Sequence, residues 1–116
     1  MPITPQRMRQ LEMARSRWSG GRAEGHLAAL AEAMVAVRRA TYRCDPDPVR
    51  ATLALLAALR GSPLLTRHGP RLGHEEVLAW LEERAKATPP PSGDELLLEL
   101  GWLRRLLRAQ PPRASR

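Results

Sequence analysis

The sequence predicts an all-α protein, a compact bundle of four to five helices with a Pro-rich connector before the last. Three observations carry that prediction. The apolar residues are mostly Leu and Ala, good helix formers, whereas Ile3 is the single isoleucine and Phe is absent. Apolar positions recur at spacings of three and four along five stretches. Gly- and Pro-containing breaks separate those stretches. With 116 residues there is material for one domain. The expected division is a helical domain over 1–110 and a disordered basic tail over 111–116.

The first segment is expected from about Pro5 to Trp18. Thr4 suits the N-cap and Pro5 the first helical position. Met8, Leu11, Ala14 and Trp18 share one side, and Gly20 and Gly21 stop the helix. The second runs from about Glu24 to Arg43, with a seam at Leu27, Leu30, Met34, Val37 and Thr41 suited to packing against other helices. Arg38, Arg39 and Arg43 near its end complement the helix dipole. Asp45–Pro48 ends it, because a residue before proline is pushed out of the helical region.

The third segment takes Asp47 as cap and Pro48 as first turn, and extends to Arg60 with Gly61 as its stop. Its middle is apolar on nearly every side, which predicts a buried helix at the centre of the core. One short turn is expected after Ser62 and Pro63, through Leu64, Leu65 and Arg67, broken at Gly69 and Pro70. The fourth segment runs from about His74 to Ala87. Glu75 and Glu76 lie in its first turn and Arg84 and Lys86 in its last. Val77, Leu78, Leu81 and Ala85 form its inward stripe, with Trp80 at the margin. Thr88–Gly93 is a stiff connector, since three successive prolines cannot be helix interior. Ser92 and Glu95 read as a capping box for the fifth segment, which reaches about Ala109. Leu96, Leu100, Leu103 and Leu107 are its stripe, widened by Leu97, Leu98, Trp102 and Leu106.

Charge is the main functional signal. Lys and Arg number 19 against 12 Asp and Glu, a formal +7. Residues 1–43 carry +5, 44–73 carry +2, 74–100 carry −5 and 101–116 carry +5. Two basic ends thus flank an acidic stretch, the kind of asymmetry that serves a polyanion. Nearly all the basic residues are Arg, a habit that a GC-rich genome also produces, so the preference for Arg carries little weight. At about 100° per residue, Arg7 and Arg15 fall near Leu11, whereas Arg9 and Arg17 point elsewhere. Trp18, beside Arg17 and Arg22, suits a core plug or an interface anchor better than a base-stacking platform.

Motifs for chemistry are weak. Leu72 and Gly73 look like the turn of a helix-turn-helix, but Glu75, Glu76, Glu82 and Glu83 on the would-be recognition helix oppose a polyanion. His26, Cys44, His68 and His74 are zinc-ligand types at spacings that fit no local motif. Cys44 has no marked partner for nucleophilic chemistry and reads as a small buried apolar residue. Asp45 and Asp47 are turn and cap residues. No Gly-rich phosphate loop with a Lys occurs, and nothing implies a cofactor, a metal or an enzyme. No apolar run approaches a membrane span, and the first helix has too few large apolar residues to hold an anionic membrane. The opening residues lack a signal-peptide core, so a cytoplasmic location is expected.

The function expected is noncatalytic: a small basic helical protein that binds nucleic acid (RNA or DNA), or a nucleoprotein assembly, through backbone phosphates. The candidate contacts are Arg7, Arg9, Arg15, Arg17 and Arg22, with Arg104, Arg105 and Arg108 as a second patch. In size, helicity and basicity the chain resembles the small helical subunits of CRISPR effector complexes, and equally phage and plasmid accessory proteins. That resemblance rests on profile alone and implies an accessory subunit. The alternative is a protein-interaction or oligomerisation module, possible as a homo-oligomer. It would use Leu27, Leu30, Met34, Val37 and Trp102, with charge serving solubility.

Overall fold

The computed structural model describes residues 3–18, 23–58 and 72–109. Five helices run through them, without a strand among the described residues: α1 (Pro5–Arg17), α2 (Ala23–Tyr42), α3 (Pro48–Ala58), α4 (Leu72–Ala85) and α5 (Gly93–Ala109). Local signals set most of their ends. The Thr4 hydroxyl accepts the Arg7 N–H at 3.1 Å and Pro5 follows as the first helical residue. Asp47 caps α3 by accepting the Arg50 N–H at 3.1 Å, and Asp45 accepts the Asp47 N–H at 3.2 Å in the turn before it. At α5 the capping box closes both ways: Ser92 Oγ accepts the Glu95 N–H at 3.2 Å and Glu95 Oε1 accepts the Ser92 N–H at 2.9 Å. The connector before it holds a cis Thr88–Pro89 peptide.

The core sits on α2, against which α3, α4 and α5 all pack; α1 lies on α5. This corrects the expectation that residues 49–60 occupy the centre. α2 buries Ala29, Leu30, Ala33, Ala36, Val37 and Ala40, and its small alanines let three neighbours come close. α3 contributes Val49, Thr52 and Leu56 to the core but leaves Ala54, Ala57 and Ala58 exposed. An alanine face costs little in water, so apolarity made of alanine does not compel burial. Leu11, Leu30, Leu56, Leu81, Leu96, Leu100 and Leu103 are fully buried. Each contributes about 1.5–3 kcal/mol. Trp80, expected at the margin, is buried as well.

Four contacts fix the directions of the helices. Gly73 at the start of α4 crosses the start of α2 so closely that an added Cβ would lie 2.5 Å from the His26 nitrogen and 2.6 Å from the Gly25 carbonyl carbon. Leu72 and Gly73 therefore belong to a helical first turn and a backbone crossing, not to an interhelical turn. At the other end of α2, Gly93 backs onto Thr41. α4 thus runs with α2 and α5 against it. α1 runs parallel to α5, because Arg7 reaches Glu99 in the middle of α5 while Trp18 reaches His26 at the start of α2. The molecule measures 47 × 36 × 20 Å, and the short dimension is two helix diameters, hence two layers. The expected end of the third segment at Arg60 and Gly61, the turn over Ser62–Arg67 and the tail over 111–116 lie outside the described residues.

Candidate functional site

Glu99 sits on the apolar face of α5 and is buried. Two arginines satisfy it from two other helices. Arg84 of α4 donates from Nε and Nη2, each at 2.9 Å. Arg7 of α1 donates from Nε at 3.1 Å and from Nη2 at 3.2 Å, and its Nη1 donates to Gln10. Four N–H donors thus fill the carboxylate, and each guanidinium binds it through two nitrogens. Arg7, a predicted phosphate contact, is paired inside the protein, where it shares one carboxylate with Arg84. The triad itself was not anticipated from the sequence. Its signal is a glutamate in register with Leu96, Leu100 and Leu103 on an otherwise apolar stripe, where an ion needs a partner.

The other basic candidates divide by helical face. Arg9 and Arg17 are exposed on the outer side of α1. Arg15 is half-buried on the inner side, and its Nε is buried without a hydrogen-bond partner among the described residues. On α5, Arg104 is half-buried, Arg108 is exposed, and Arg105 lies over the Trp102 ring at 5.0 Å from its centroid. Among the described residues, Arg9, Arg17, Arg104 and Arg108 make no ion pair. Because α1 and α5 run parallel and in contact, Arg15 and Arg17 at the end of one lie toward the same end of the bundle as Arg104, Arg105 and Arg108 at the end of the other. Arg22 lies outside the described residues.

At that same end, His26 joins three helices. Its ring stacks on Trp18, with centroids 5.0 Å apart and planes 11° from parallel, and its Nε2 meets Glu76 Oε1 at 2.5 Å. Nδ1 is buried without a hydrogen-bond partner among the described residues. Trp18 is therefore an anchor for the end of α1, with one face already covered by His26. Glu76, at the acidic start of α4, faces the same histidine. No group of three His, Cys, Asp or Glu among the described residues could hold a metal ion. Cys44 follows the far end of α2, about 27 Å from His26 at 1.5 Å per residue, so the two form no catalytic pair. It is exposed, not buried as expected. His68 lies outside the described residues.

The apolar interface candidates also separate. Leu30 and Val37 are fully buried, and Leu27 and Met34 pack against the same core. The α2 seam is thus filled by the chain's own helices, which corrects its expected role as an interface. Trp102 is likewise partly buried against the core, but its outer part lines an open groove of about 300 Å³ with Asp94, Leu97, Leu98, Gly101 and Arg105. A Cβ built on Gly101 would meet nothing within 4 Å. Among the described residues no helix is long and apolar enough to cross a membrane. No protein-family model, curated protein or solved structure matches the chain.

Proposed function

We propose that the chain is a noncatalytic binding subunit that grips the phosphate backbone of a nucleic acid with the basic end formed by α1 and α5. One observation carries the reading: parallel packing of these helices gathers two arginine groups, 90 residues apart in sequence, toward one end of the bundle. Five arginines there stand against Glu24 at the start of α2 and Glu75 and Glu76 at the start of α4, of which Glu76 is turned to His26. Arg17, Arg104 and Arg108 make no ion pair among the described residues and so offer their charge, and Arg9 extends it along the outer side of α1. Such contacts neutralise phosphates and set register without reading sequence.

Fluorescence anisotropy with labelled single- and double-stranded RNA and DNA, titrated at low and at physiological salt against heparin, tests the proposal. Saturable binding that persists near 0.15 M salt is expected, as low-salt binding alone follows from net charge. The combined variant Arg9→Gln, Arg17→Gln, Arg104→Gln is expected to weaken it. On duplex DNA the log–log salt slope should flatten by roughly 0.9 for each phosphate that is no longer neutralised. Binding that vanishes at physiological salt, or that is unchanged in the variant, rejects the reading. A second reading, a protein-interaction module, is favoured by the half-exposed apolar groove around Trp102 and Gly101.

A further inference from the structure

Among the described residues, the outward side of α5 is an unpartnered helix face, and it has an internal symmetry. Opposite the buried Leu96, Leu100, Leu103 and Leu107, the residues Asp94, Leu98, Gly101, Arg105 and Arg108 recur at steps of four, three, four and three. That is the spacing of a helix–helix seam. Gly101 is its midpoint: Asp94 precedes it by seven residues and Arg108 follows it by seven. The two ends carry opposite charge, both side chains are exposed, and neither makes an ion pair among the described residues. The centre is a notch, because among the described residues nothing beyond the adjacent backbone of α5 lies within 4 Å of where a Gly101 side chain would begin. Leu97, Leu98 and Trp102 flank it, each partly buried but lining the groove.

We infer that this face binds a second copy of the chain, with two α5 helices antiparallel and crossing at Gly101. A two-fold interface must be its own complement. Here an antiparallel pair with its axis at Gly101 sets Asp94 of each copy opposite Arg108 of the other, about 10 Å to either side of the crossing at 1.5 Å per residue. The pairing also matches the acidic first turn of each helix to the basic last turn of its neighbour, the sense that helix dipoles favour. The paired glycines let the backbones approach, and Leu98 and Trp102 from both copies close around them. Arg105, already laid over Trp102, adds its aliphatic stem to that apolar surface. A parallel pair would set Asp94 against Asp94 and Arg108 against Arg108, so charge selects the antiparallel arrangement. A contact along one helix face is at the small end of specific interfaces, so the dimer is expected to be concentration-dependent.

Sedimentation velocity over a range of protein concentration, without nucleic acid, tests this separately from the phosphate-binding reading, which shares Arg105 and Arg108 with the seam while its tested residues Arg9, Arg17 and Arg104 lie outside it. The wild type is expected to shift from monomer to dimer. Asp94→Arg alone and Arg108→Asp alone each oppose like charges twice per dimer and are expected to raise Kd more than about tenfold. Mixing the two variants restores both pairs, and a heterodimer at near wild-type affinity is expected. Gly101→Gln fills the notch, and its Cβ has open space around it, so the variant is expected to stay helical by circular dichroism and to become monomeric; it also keeps the test open if a charge variant fails to fold. A wild type that stays monomeric up to its solubility limit overturns the inference, whether another helix or another segment of the chain covers the face. So does a dimer that none of the three variants weakens, or a mixture that fails to recover.

Discussion

Cys44 closes α2 in the left-handed region, with φ of 57°. The hydrogen bonds around it explain why: Cys44 N–H donates to the Thr41 carbonyl at 3.0 Å and Asp45 N–H to the Ala40 carbonyl at 2.9 Å, the paired bonds of a Schellman end. Glycine is the usual occupant, since a Cβ there crowds the following carbonyl. Cys44→Gly is expected to raise stability by roughly 1 kcal/mol, read as a higher denaturation midpoint at unchanged slope. The thiol is exposed, so its removal opens no cavity. At the same scale, the faces of α1 were readable in the sequence. Arg7 and Arg15, in phase with Leu11, are half-buried, while Arg9 and Arg17, out of phase, are exposed. The actual partner of Arg7 was not readable, because Glu99 lies 92 residues away.

Among the elements, the N-terminal signals at Thr4, Asp47 and Ser92 all formed, because a cap is a bond between residues three apart and needs no tertiary context. Which helix became the hub was a different matter. α3 has the more uniformly apolar sequence, yet α2 is longer and buries a face of alternating small and larger residues that three neighbours can share. The crossing of α2 and α4 depends on glycine at the contact. Gly73→Ala would press a methyl group into the backbone of Gly25 and His26, so the two helix starts must separate. A loss of about 1–3 kcal/mol is expected, despite the better helix propensity of alanine. Thermal unfolding followed by circular dichroism checks this, and a stabilised variant would mean that the crossing is looser than these distances require.

For the whole molecule, the Arg7–Glu99–Arg84 triad joins α1, α4 and α5 through one carboxylate. The arginine side chains are 22% and 18% exposed and that of Glu99 is 7% exposed, so water screens the pairs only in part. Glu99→Ala leaves two guanidinium groups without their counter-ion against the core. The expected cost is about 3 kcal/mol, at the low end for breaking a buried ion pair because the arginines keep some solvent. Equilibrium denaturation measures it, and a cost below that of an ordinary surface substitution would reduce the triad to a solvated contact. The triad also bears on the phosphate-binding proposal. It withdraws Arg7 from the basic surface while holding α1 alongside α5, the packing that brings the remaining arginines together.

Helix content, most helix ends, the capping box and the inward stripes of α4 and α5 depend on residues within a turn or two of one another. The amino-acid sequence alone determined them, since periodicity and capping act over a few residues. The sequence also carried the two basic groups and the excess of apolar surface on the last helix. Tertiary structure decided what each of these faces meets. It turned the α2 seam inward, left Gly101 and Trp102 on an open face, matched Arg7 to Glu99 and set the two basic helices parallel. The physical reason is that local rules specify a helix and its apolar stripe but not its neighbour or its direction. Those follow from which set of faces excludes the most water while leaving no buried charge without its partner.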